Sequence, residues 1–159
     1  MDFDLIYKEF SPKIFRLCLG YLNDFEKAKD LTQDTFIAVW QNMDSFKQES
    51  GLGTWIYRIA ANKCLRQIEK DTKTIRTKLP VIMETDSFPE NAVEEKHAFL
   101  RKCIAELPEL ERLIMGLLLE DLPQEKIAEV TGISHSNIRV KIHRIKEKLV
   151  QKFKSHGNF

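Results

Sequence analysis

Trp55, Arg58, Asn62 and Arg66 follow one another at steps of three and four residues, so any helix that carries them presents an indole, an amide and two guanidinium groups along one stripe. Those are the groups that bind an unstacked nucleic-acid base: a ring to stack on, an amide for base edges and cations for the phosphates. Lys63, Lys70 and Lys73 extend the positive side. Taken alone, Trp55 reads as well as a partly buried core residue. A second group comes later in the chain, with His135, Ser136, Asn137, Arg139, Lys141 and Arg144 on and beside one face of a helix. Its opposite face repeats Ile138, Ile142, Ile145 and Leu149 at the helical period. Arginine and lysine hold phosphates, while arginine or asparagine reads base edges. A lysine-rich helix is often only a solvated face; the turn chemistry that precedes this one and the spacing of Ile138 favour DNA.

From Leu122 to Leu149 the chain reads LPQEKIAEVTGISHSNIRVKIHRIKEKL. Pro123 suits a first helical turn, where its missing N–H costs nothing. Ile127, Ala128 and Val130 form an inward side, Gly132 supplies a left-handed turn, and Ser134 caps the next helix. A small residue at Ala128, a glycine at Gly132 and an apolar Ile138 suit two helices crossing closely. The spacing predicts a helix-turn-helix whose second helix enters a DNA major groove.

These groups need scaffolds. Ser11-Pro12 reads as a cap and first helical residue, which predicts a short helix before it and a longer one after it, with Ile14, Phe15, Cys18, Leu19 and Leu22 buried. A strong helix follows from Phe25 to about Asn42, with Ala28, Leu31, Thr32, Phe36, Val39 and Trp40 close to one face. Its other side shows Glu26, Lys27, Asp30, Gln33 and Asp34. Met43 to Gly53 reads as a loop anchored by Phe46. The helix of Trp55 begins near Thr54, a possible cap, and runs to about Lys70. Polar, mixed-charge residues 71–91 read as a flexible linker. Beyond it, helices around Phe99 to Leu107 and Glu109 to Leu119 share a core with the helix-turn-helix. The expected fold is all-α, with two small helical domains, 1–70 and 92–159, joined by that linker.

The balance of 25 basic against 24 acidic residues, a net charge of +1, excludes a general nucleic-acid coat. Contact with DNA must come from local segregation of charge. Cys18, Cys64 and Cys103 sit far apart in apolar helical patterns and read as reduced core thiols, not as a disulfide framework or a zinc site. No glycine-rich phosphate loop, nucleophile elbow or metal-ligand constellation is present, so neither catalysis nor a cofactor is expected. No signal peptide or membrane-spanning run is apparent, and a cytoplasmic protein without direct membrane insertion is expected.

DLTQDTFIAVWQ at Asp30 to Gln41, Phe46, and TWIYRIAANKCLR at Thr54 to Arg66 precede LPELER at Leu107 to Arg112 and the helix-turn-helix. In that order they resemble the extracytoplasmic-function group of bacterial RNA polymerase sigma factors, over nearly the whole chain. The resemblance implies an all-helical, dissociable polymerase subunit that recognises two promoter elements and assists strand opening. It implies a polymerase-binding surface at Asp30, Leu31, Gln33 and Asp34, with Phe36 largely structural. A downstream-promoter surface is implied at Trp55, Arg58, Asn62 and Arg66, and an upstream-promoter surface at His135, Ser136, Asn137, Arg139, Lys141 and Arg144. The implied partners are the bacterial polymerase core, promoter DNA and an anti-sigma factor. Two departures stand out: KCLRQIEKDTK disperses the basic pair that relatives carry after Asn62, and Asn137-Ile138 replaces a common Thr-Val. The second implies an altered base preference.

An autonomous helix-turn-helix regulator is the alternative, but such proteins use dimer symmetry to read two half-sites, and no dimerisation segment remains. A helical protein-interaction module would leave the Trp55 stripe and the basic helix coincidental.

Overall fold

The computed structural model describes residues 2–74 and 92–156, side chains of 68–74, 92 and 93 excepted. Among these residues all regular structure is helical: α1 Phe3–Leu22, α2 Phe25–Asn42, α3 Leu52–Thr74, α4 Ala92–Ala105, α5 Glu109–Leu119, α6 Gln124–Thr131 and α7 His135–His156, with one 3₁₀ turn at Met43–Ser45. The all-α expectation holds. The expected linker, beyond Thr74, lies outside the described residues, as do the side chains of Lys70 and Lys73.

α1 corrects one expectation. It runs unbroken through Pro12 instead of splitting there, with Asp2 as its N-cap accepting the Asp4 N–H at 2.9 Å. Proline forfeits one ladder bond, but its ring faces solvent and the buried stripe of Ile6, Ile14, Leu17, Cys18 and Tyr21 continues across it. Tertiary burial on both sides outweighs the local breaker. Asn23, left-handed at φ 52°, closes α1, and Asp24 caps α2 through the Lys27 N–H at 3.1 Å.

α2 buries Ala28, Leu31, Thr32, Thr35, Phe36 and Val39. Trp40, expected inward, is 64% exposed and meets the Phe3 ring edge-on at 5.1 Å. It falls one residue past Val39, at the margin of a stripe already filled. Thr35 takes an inward place because its hydroxyl donates to the Leu31 carbonyl at 2.8 Å, so no polar group is left unpaired.

α3 starts at Leu52, not at Thr54. The Trp55 N–H reaches the Gly51 carbonyl at 3.0 Å and Thr54 is buried in the first turn, so it is no cap. α3 runs on to Thr74 rather than ending near Lys70. Cys18 of α1 and Cys64 of α3 face each other in the core, sulfur to sulfur at 3.9 Å. The shared hydrogen bond and burial push the Cys64 thiol well above its ordinary pKa.

In the second half Gly132 is left-handed at φ 76° and its N–H closes α6 on the Ala128 carbonyl at 2.9 Å. Among the described residues nothing lies within 4 Å of a Cβ built at Gly132, so the glycine serves the turn and not a close helix crossing. Pro123 is the N-cap of α6, one position before the first helical turn. Ser134 Oγ accepts the Asn137 N–H at 3.3 Å and opens α7, whose Ile138, Ile142, Ile145 and Leu149 are buried as expected.

The two halves also pack together, α1 on α5 and α3 on α6, and their buried side chains join into one continuous cluster.

Candidate nucleic-acid and polymerase interfaces

Three surfaces carry the expected site residues. On α3, Trp55 is half-buried while Arg58, Asn62 and Arg66 are exposed on the same side. Trp55 lies under Phe46 from the preceding loop, ring centroids 4.8 Å apart and planes 30° apart. The pair forms a wall of an open hollow of about 360 Å³ that Lys47, Glu49 and Arg58 also line. Its aromatic wall has the chemistry to stack a flat, displaced base, while Lys47 and Arg58 at the rim are balanced there by Glu49 and Glu129.

Arg58 is also engaged elsewhere. Its Nε and Nη2 donate to the Glu129 carbonyl of α6 at 3.2 and 3.0 Å. That carbonyl is one of the last four of α6, at the negative end of the helix, where a cation is favoured. The contact joins residues 71 positions apart, and no local pattern announces it.

On α2, Asp30, Gln33 and Asp34 are exposed and Leu31 lies beneath them in the core, 6% exposed. Leu31 therefore supports that surface by packing and offers solvent almost nothing. Ile37 and Trp40, one turn along, are exposed large apolar side chains beside it that periodicity alone did not mark.

On α7, His135, Ser136, Asn137, Arg139 and Arg144 are exposed and Lys141 is half-buried. Ser136 Oγ lies 3.4 Å from Ser134 Oγ. Val140, 48% exposed, adds an apolar contact point among them. Further along α7 two lysines turn to internal work. Lys148 meets Glu111 of α5 at 2.9 Å and Lys152 meets Glu106 at 3.0 Å. Lys146 and Lys154 stay exposed, so cations open to an outside ligand run along α7 beside the two that pair internally.

Between the halves, Arg16 of α1 makes a two-pronged bond to Glu120, Nε and Nη2 each at 2.9 Å from a carboxylate oxygen. The guanidinium of Arg112, on α5, sits 5.1 Å over the Tyr21 ring of α1. Tyr57 lies beside the ion pair; burial first, then the Glu120 carboxylate, push its hydroxyl to about 12 against the opposing Arg16 charge.

Comparison with known proteins places these surfaces in context. Sigma-70 region 2 matches residues 6–74 and Sigma-70 region 4 matches residues 100–149. The ECF RNA polymerase sigma factor SigW of Bacillus subtilis (strain 168) is 30% identical over 158 residues, covering 91% of this chain and 83% of that protein. RNA polymerase sigma factor YlaC of the same organism is 27% identical over 151 residues, with 91% and 87% covered. Among solved structures, the sigma factor RpoE of Bartonella quintana, in complex with the anti-sigma factor NepR, superimposes with a TM-score of 0.78 at 21% identity, covering 96% of this chain and 97% of that one.

Proposed function

The chain belongs to the ECF RNA polymerase sigma factors, and on that premise we propose how its surfaces divide the work of promoter-specific transcription initiation. Its function is to direct bacterial RNA polymerase to promoters, with the first region and the second region meeting the core enzyme and the DNA. In our assignment Asp30, Gln33 and Asp34 on α2 meet the polymerase, with Leu31 holding the helix in place beneath them. Ile37 and Trp40 extend that surface with apolar area. The α3 face of Trp55, Arg58, Asn62 and Arg66 captures the opened downstream strand. His135, Ser136, Asn137, Arg139, Lys141 and Arg144 read the upstream duplex from the major groove.

The observation that carries this division is the hollow walled by Phe46 and Trp55, an aromatic site with Lys47 and Arg58 at its edge, far along the chain from the exposed basic turns of α7 in the second region. Joining two weak DNA contacts in one chain raises effective concentration, so neither half needs to bind tightly alone. We assign the first domain to residues 1–70 and the second to 92–159, and place the protein in the cytoplasm with the polymerase. None of the described helices is long and apolar enough to cross a membrane. We further assign an anti-sigma factor as its regulator, a reading supported by the complex in which the RpoE likeness was solved. A freestanding regulator would use only the second region and is not favoured.

The test is reconstitution with bacterial core polymerase on fragmented genomic DNA, followed by sequencing of transcript 5′ ends. Two shared upstream elements at those ends are the expected result; starts no different from those of core enzyme alone overturn the function. With the upstream element in hand, Arg139→Ala and Lys141→Ala should each weaken binding and flatten the dependence of log affinity on log salt by roughly 0.9. Asn137→Ala should change base preference without that change in slope. Titrations at several salt concentrations on native and scrambled duplexes measure both, and unaltered slopes would remove Arg139 and Lys141 from the phosphate contacts.

A further inference from the structure

Cys18 and Cys64 take no part in the surfaces assigned above, yet the fold brings them together. α1 and α3 pack against each other, and each turns one sulfur into their shared core. The two sulfurs are 3.9 Å apart although 46 positions separate them in sequence. Both residues are fully enclosed, and Cys103 is buried apart from them in the second half. A sulfur–sulfur bond is about 2.05 Å long, so roughly 1.9 Å of approach separates this contact from a covalent link. Rotation of one thiol between staggered positions is a movement of that order. The hydrogen bond between the sulfurs also makes them unequal. It holds the Cys18 thiol below its ordinary pKa, against the opposing cost of burial, and holds Cys64 above. Cys18 is therefore the sulfur that becomes a nucleophilic thiolate first.

We propose that Cys18 and Cys64 are a redox modification site, which hydrogen peroxide converts to a disulfide that staples α1 to α3. The Cys18 thiolate attacks one peroxide oxygen; an S–O bond forms, the O–O bond breaks, and the departing hydroxide takes a proton to leave as water. The Cys64 sulfur then attacks the Cys18 sulfur of that sulfenic acid. The S–S bond forms, the S–O bond breaks, and the hydroxyl leaves as water with the Cys64 proton. Two thiols lose two electrons, and one peroxide is reduced to two waters. With a second sulfur already in contact, the sulfenic acid is resolved before more peroxide carries it to sulfinic acid. Hydrogen peroxide is small enough to enter on a brief opening of the core, which a bulky disulfide is not. The loop closed by the bond contains all of α2 and the Phe46 turn, so the staple holds the scaffold of both surfaces assigned to the first half. A cross-link stabilises mainly by constraining the unfolded chain, and oxidation therefore preserves the first half instead of dismantling it.

The experiment treats the reduced full chain with hydrogen peroxide in native buffer, then unfolds it in an alkylating reagent and maps its peptides by mass spectrometry without reduction. A single cross-link between the Cys18 and Cys64 peptides is expected, with Cys103 recovered alkylated. Oxidised glutathione at the same concentration should give far less of it. Thermal melting should shift upward by about 5 °C or more on oxidation and return on treatment with dithiothreitol. Cys64→Ala should abolish both the cross-link and the shift, and Cys103→Ala should keep both; circular dichroism confirms that each variant is helical. The peptide map of the unaltered chain stands whether or not a variant folds. Recovery of Cys18 and Cys64 both alkylated, or both as sulfinic acids, reduces the contact to core packing and overturns the site. A mixture of pairings that includes Cys103 overturns it as well, since that is what an unfolded chain would give. A cross-link that lowers the melting temperature overturns the staple.

Discussion

Trp55→Ala should slow formation of the open promoter complex by roughly 10- to 100-fold, the loss of one stacking platform at about 1–3 kcal/mol per base. Polymerase binding should be nearly unchanged, because the surface assigned to it lies on α2. The mechanism is specific to strand separation: a displaced base has lost its neighbours in the duplex, and the Phe46–Trp55 wall is what replaces them. A template mismatched over the downstream element supplies the separation in advance and should recover much of the deficit. Asn62→Ala should recover less on that template if its amide reads a base. Permanganate reactivity on matched and mismatched templates, with holoenzyme assembly followed alongside, measures each quantity. Trp55 is half-buried, so the variant also removes packing against Phe46; Trp55→Phe keeps an aromatic ring in the fold and should retain most opening. Normal opening by a folded Trp55→Ala protein would exclude the indole from strand capture.

Asp34→Arg should weaken holoenzyme formation by about 30-fold or more, since placing like charges against each other across an interface costs several kcal/mol. The fold should tolerate it. Asp34 is exposed on α2, while the buried side of that helix is made by Ala28, Leu31, Thr35, Phe36 and Val39. Asp34→Asn, which removes charge without reversing it, should give an intermediate loss. Co-purification with core polymerase at matched concentrations tests both, and full recovery of the Asp34→Arg protein would move the polymerase surface elsewhere.

How much of this was legible in the chain depends on distance along it. Features fixed within one or two helical turns were readable: the capping of α7 by Ser134, the left-handed Gly132 and the inward isoleucines of α7 all follow from neighbours in sequence. Pro12 misled because a local breaker was weighed without the burial that surrounds it, and a single lost bond is small beside a continuous apolar stripe. Trp40 misled for a related reason. Its hydrophobicity favours the core, but its angle on α2 points past it, and Thr35 fits inside by satisfying its own hydroxyl. Gln33 and Asp34 were legible as an outer face, and the helical period put Leu31 with the buried residues, where it lies at 6% exposure; its place on the polymerase surface came from the resemblance alone. Arg58 is the deepest case. Periodicity puts it on the Trp55 stripe, but nothing in its neighbourhood foretells a carbonyl from a helix beginning at Gln124. Contacts between halves are set by which surfaces remain after each half has packed, and that is a property of the assembled molecule.

The placement of the three thiols gives this chain an internal clock for each half. Cys18 and Cys64 are wholly enclosed in the first half and Cys103 is 2% exposed in the second. An alkylating reagent attacks the thiolate and needs access to it, so each sulfur reacts only when its own surroundings breathe. The rate at which Cys64 is labelled then reports transient melting between α1 and α3, and the rate at Cys103 reports the same event around α4.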